Sequence, residues 1–138
     1  MYISRPTRTT VSVILLVHYF LRLYKLTKIT ILVNYLLVEK RTPHYQLDVI
    51  QEVVARYGIA AFTRTARLNS YAMGLTDADM LAVVCSLQRE NFYKSMTSFA
   101  DHTLWQDVYH AVTPVGMVAY IKVSRPDEGK PVIQFKEK

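Results

Sequence analysis

The chain has one cysteine, Cys85, in 138 residues. That excludes an intrachain disulfide and any zinc site built from cysteines, and it is compatible with a reducing compartment such as the cytoplasm. The four histidines, His18, His44, His102 and His110, show no metal-ligand spacing. No metal and no other cofactor is therefore expected. The remaining scarcities are uneven along the chain. Residues 1–37 contain no alanine, no glycine and no acidic residue, and the first alanine is Ala55.

That leader is rich in Ile, Leu, Val, Thr and Tyr. A secretory signal would need a small-residue cleavage site after the apolar run Val11–Val17, and none follows. A membrane span over Val11–Val38 would place Arg22, Lys25 and Lys28 near its middle, at roughly 2.5–3.5 kcal/mol each. Three readings survive: a basic interfacial helix, upstream sequence carried into the frame, or a genuine extra soluble element. The second fits the composition, since Ile, Leu, Tyr, Lys and Asn are what AT-rich DNA encodes. It also makes Val38, whose codon can be GTG, the natural start. Two units are expected, an N-terminal extension over 1–37 and one domain over 38–138.

The net charge of +6 divides unequally. The leader holds five bases and no acid; residues 38–138 hold 12 bases and 11 acids, a net +1. Any nucleic-acid site in the main domain must then be a local cluster of bases.

Helical signals come first in that domain. Thr42 with Pro43 behind it has the form of a helix start. Leu47, Ile50, Val54 and Tyr57 repeat at helical spacing, and Gly58 suits the end. Thr63 opens a second helix reaching about Met73. Thr76 and Asp79 have capping-box spacing for a third, Asp77–Leu87, with Met80, Leu81, Val84 and Leu87 as its apolar face. Cys85 in that run has the character of a small buried apolar residue rather than a nucleophile.

After Leu87 the period changes. Residues 92–97, 103–109, 117–123 and 131–136 are aromatic and β-branched, with turn residues between them, which predicts an antiparallel sheet. Helices followed by strands give an α+β fold. Met117, Ala119, Ile121 and Val123 share one face of their strand; Val118, Tyr120 and Lys122 share the other. Ile133 and Phe135 are the apolar pair of the last strand. If the two strands form a hairpin, Tyr120 lies opposite or diagonal to Gln134 or Lys136 on the open face. Gln106 has the option of joining that face.

Asn91–Tyr109 concentrates a lysine, two carboxylates, a histidine, a glutamine, the one tryptophan and two tyrosines among its residues. Such a stretch either stitches a sheet or lines a site. Its motifs FYKSMT, ADHT and WQDVY, with EKRTPH at Glu39–His44 and the terminal FKEK, resemble the MqsR family of toxins from bacterial toxin–antitoxin pairs. The resemblance runs from about Val38 to Lys138. It implies a RelE-like fold, with N-terminal helices packed on a C-terminal curved antiparallel sheet. It also implies a ribosome-independent endoribonuclease that cuts mRNA at GC-containing triplets such as GCU. The implied partner is an MqsA-like antitoxin with a zinc-bearing part and a DNA-binding part.

Cutting RNA without a metal needs an acceptor for the 2′-OH proton, a donor to the leaving 5′-oxygen, and cations or donors around the phosphorane. The positions tied to activity in the resembling family fall on Lys94, Gln106, Tyr120 and Lys136. His102, beside Asp101, is the suspect by titration range alone. His102, Lys122, Tyr109 and His110 are secondary candidates for holding the substrate. His110 stands where an arginine would be unsurprising. Two other classes of function fit the same residues: a non-catalytic module that binds RNA or protein through the open face, and a membrane-associated protein that uses residues 1–37.

Overall fold

The computed structural model describes residues 8–36, 38–128 and 132–138. It divides into two units, 1–36 and 37–138. The first is the single helix α1, Arg8–Leu36. Its side chains from 13 to 28 are exposed on every side, apolar and basic alike. No described helix is long and apolar enough to cross a membrane.

The second unit is α+β, as its order of periodicities implies. β1 (Glu39–Lys40) precedes three helices, α2 (Leu47–Tyr57), α3 (Arg64–Ala72) and α4 (Asp77–Cys85). β2 (Phe92–Thr97), β3 (Trp105–Val112), β4 (Val118–Ser124) and β5 (Val132–Glu137) follow. The five strands form one antiparallel sheet in chain order, β1 to β5. Ile50 and Val54 of α2, Ala66 of α3, and Met80, Val83 and Val84 of α4 form one core with Tyr109, Ala119, Ile121, Val123, Ile133 and Phe135 of the sheet.

Two helix starts behave as their sequence signals require. Thr63 accepts from the Ala66 amide at 3.1 Å. Thr76 and Asp79 close a reciprocal capping box, satisfying amides that have no partner inside the helix. The start expected at Thr42 does not occur. α2 begins at Leu47, after Gln46, because the preceding residues are held elsewhere. The amides of His44 and Tyr45 donate to the carboxylate of Asp107 on β3, at 2.9 and 2.8 Å. Tyr57 is exposed at the end of that helix, where a core position was expected.

Cys85 also departs from expectation. It is exposed, because the buried side of α4 is set by Met80, Val83 and Val84, with Leu87 beyond the helix end. The helix stops at Ser86 rather than reaching Leu87. Gln51 Nε2 donates to the carbonyls of Cys85 and Leu87, both at 2.9 Å, and so satisfies acceptors freed by that ending.

The sheet edge at β5 is covered by the start of α3. The Thr63 amide donates to the Ile133 carbonyl at 3.0 Å, and Asn69 Nδ2 to the Phe135 carbonyl at 3.2 Å. An uncovered edge would offer these carbonyls to another chain.

Candidate functional site

The strand register turns the sequence into a grid on the face away from the core. One row holds Glu39, Met96 and Gln106, paired in that order across β1, β2 and β3. The next holds Lys94, Val108, Lys122 and Gln134. The third holds His110, Tyr120 and Lys136. Rows on one face lie about 7 Å apart along the strands, and neighbours within a row about 4.8 Å. Lys94, Gln106, Tyr120 and Lys136 thus share a face, as do Lys122 and His110.

They are not equally central. Tyr120 and Lys136 are direct cross-strand partners, with the ammonium 5.3 Å from the ring centre. Lys94 reaches in from β2 with its side chain only 18% exposed. Gln106 sits in the first row, buried, with Nε2 donating to Ser124 Oγ at 3.2 Å. It is a floor residue at the far end of the patch.

Two of the secondary candidates are not part of this face. Tyr109 points into the core and is 1% exposed, because residues alternate across a strand and Val108 and His110 take the open side. Burial raises its hydroxyl well above the ordinary tyrosine range, with the Asp107 charge adding to it. His102 is exposed in the turn before β3, whose first residue, Trp105, already lies about 17 Å along the strand from His110 at the usual rise. Asp101 does not orient it. That carboxylate accepts from the amide and hydroxyl of Thr103 and pairs with Arg125 at 3.4 Å.

An irregular register between Phe92 and Lys94 reshapes this end of the face. An extra residue in a strand re-aims its side chains. Here Tyr93 stacks on His110, ring centres 4.5 Å apart, and His110 leans on Tyr120 at 5.4 Å. Arg41 and Lys94 lie over Tyr93, each 5.6 Å from its centre. The result is an aromatic row with cations at both ends. Nothing in the sequence spacing marks Tyr93 for it, since strict alternation would place Tyr93 and Lys94 on opposite faces.

Beyond Tyr120 the face opens into a groove of about 450 Å³. Tyr120, Lys122, Gln134 and Lys136 line one side; Thr63, which caps α3, and Thr65 and Asn69 of that helix line the other. The electrostatics follow from crowding. Burial lowers the Lys122 pKa, and the charges of Lys136 and Lys94 lower it further. Burial raises the Tyr120 pKa; Lys94 opposes that, while Tyr93 and Glu39 add to it. Tyr120 is thus a neutral O–H donor at neutral pH. Burial, helped by Lys138, lowers the His110 pKa, so its imidazole is neutral there. Three lysines around one phenol are the local basic cluster that a nearly neutral domain needs in order to attract a polyanion.

The family model described as "Motility quorum-sensing regulator, toxin of MqsA" matches residues 42–137. The chain belongs to the MqsR toxin family. A relative, the "mRNA interferase toxin MqsR" of Escherichia coli (strain K12), is 41% identical over 101 residues, which is 73% of this chain and all of the relative. MqsR membership accounts for the main domain and leaves the α1 unit outside the match.

Proposed function

We propose that this chain is the toxin of a type II toxin–antitoxin pair and an endoribonuclease that cuts mRNA in the cytoplasm, independently of ribosomes and metal ions, at GC-containing triplets such as GCU. The observation that carries this reading is the cluster of Lys94, Lys122 and Lys136 around the neutral Tyr120, beside a groove of about 450 Å³, in a chain related to an mRNA interferase. Attack of a 2′-oxygen on the adjacent phosphorus builds negative charge on the phosphorane. Lys94 and Lys136 hold that charge with their ammonium groups. Tyr120 protonates the departing 5′-oxygen. The products are a 2′,3′-cyclic phosphate and a 5′-hydroxyl.

The test is cleavage of a purified GCU-containing RNA in excess EDTA, with the ends of the products analysed. Cyclic phosphate ends and undiminished rates are expected, both for the full chain and for residues 38–138. The shorter chain should suffice because its first strand is tied from within: the Val38 amide donates to Thr97 Oγ1 at 3.1 Å, and the Thr97 amide returns to the Val38 carbonyl at 2.9 Å. Activity abolished by EDTA would overturn metal independence, and activity restricted to the full chain would give α1 a role.

A nuclease acting on its own cell's messages requires a neutralising partner, and the family description names MqsA. Coexpression with an MqsA-like antitoxin should restore growth and yield a copurifying complex. Growth arrest that persists beside a well-expressed antitoxin, with no complex formed, would reject the pairing.

A further inference from the structure

The proposed reaction lacks one participant, a group that takes the proton from the 2′-OH. The lysines cannot take a proton until they have lost one. Tyr120 is protonated at neutral pH because burial raises its pKa. His110 is neutral, but its Nε2 is buried and has no hydrogen-bond partner, and its ring lies between those of Tyr93 and Tyr120, so substrate cannot reach that nitrogen. Among the described residues, one carboxylate shares this face with the lysines. Glu39 on β1 pairs with Met96 in the register, and its carboxylate forms an ion pair with Lys94 Nζ. Its side chain is 47% exposed, and its charge is felt at Tyr120.

From this arrangement we infer that Glu39 is a catalytic residue, the general base of the cleavage, a role that rests on the endoribonuclease reading above. The proton of the 2′-OH passes to the Glu39 carboxylate as the 2′-oxygen forms its bond to phosphorus. The P–O5′ bond breaks, and the 5′-oxygen takes the Tyr120 proton. One proton enters and one leaves the protein, so a closing exchange with water between Glu39 and Tyr120 restores both. Lys94 bridges the two ends of this line: it pairs with the carboxylate and lies next to the phosphate. Glu39 and Tyr120 come from opposite sides of Lys94, as in-line displacement requires of base and acid.

The competing role is purely positional, with Glu39 only holding Lys94 in place. Glu39→Gln separates the two, because the amide keeps the size and can still bond Lys94 but cannot accept a proton. The expected result is kcat lowered about 10²–10⁴-fold, the usual worth of a general base, with KM unchanged or lower because a negative charge has left the face. The acid limb of the pH–kcat/KM profile should also disappear. The other titratable groups on this face are Lys94 of β2, His110 of β3, Tyr120 and Lys122 of β4 and Lys136 of β5, and Lys122→Gln and His110→Gln are the controls for that limb. Wild-type rates in Glu39→Gln, a retained acid limb, or a limb lost only in Lys122→Gln or His110→Gln would overturn the assignment. A wild-type chain that cuts no RNA would instead overturn the endoribonuclease reading itself.

Discussion

Lys136→Ala is expected to cut RNA about 10²–10³-fold more slowly than the unaltered chain, the usual cost of losing one preorganised group aimed at developing charge. The fold should be unaffected. Lys136 is exposed near the end of β5, and its contact with the Tyr120 ring, 5.3 Å from the centre, is worth only about 0.5–1 kcal/mol at such a site. The loss should appear in single-turnover kcat rather than in the melting temperature. Tyr120→Phe removes one hydroxyl and keeps the ring against His110, so it should fold normally and also cut more slowly. His102→Ala should leave the rate unchanged, since that side chain sits in the turn at the other end of β3. A well-folded Lys136→Ala with full activity would remove this mechanism and leave a face that binds RNA or protein without cutting.

Much of the open face is legible in the chain because a strand repeats every two residues. Burying Ala119, Ile121 and Val123 on one side and Ile133 and Phe135 on the other strand leaves one family of registers. Tyr120 opposite Lys136 belongs to it. The caps at Thr63 and Thr76 are local as well: donor and acceptor are three residues apart, so the spacing alone decides them.

What could not be read depends on distant partners. Thr42 and Pro43 have the right form for a helix start, yet Asp107, more than sixty residues on, takes the next amides. Cys85 sits inside an apolar run, but a helix of mostly apolar residues does not reveal its buried side. Met80, Val83 and Val84 decide that only once α2 is packed against them. The register irregularity near Tyr93 has no turn residue to announce it, so an aromatic group that completes the row beside Tyr120 goes unmarked. Glu39 was visible within EKRTPH, but its neighbour Lys94 is 55 residues away, and only strand pairing brings them together.

The largest stability effect is expected at Asp107. This carboxylate is fully buried and accepts the His44 and Tyr45 amides at 2.8–2.9 Å. Hydrogen bonds to a charged group are worth about 1.5–3 kcal/mol each, and buried amides left without a partner are costly. Asp107→Ala should therefore destabilise the main domain by about 3–6 kcal/mol. For a domain of about 100 residues each kcal/mol moves the melting midpoint by roughly 4–8 °C, so a fall of at least ~12 °C is expected. Other ties limit the damage: Tyr45 Oη donates to the Trp105 carbonyl at 3.0 Å, His44 stacks on Trp105 at 5.1 Å, and Lys40 lies 4.4 Å over the same ring. Asp107→Asn keeps one carbonyl oxygen for the two amides and should recover part of the loss. Calorimetry of the three chains, each of residues 38–138, gives the order directly. Melting midpoints that coincide would mean the 41–46 segment is held by the Trp105 contacts alone. If the order is as expected, cleavage should fall further in Asp107→Asn than its stability alone explains. The anchored segment leads straight back into β1, and a looser β1 moves Glu39 away from Lys94.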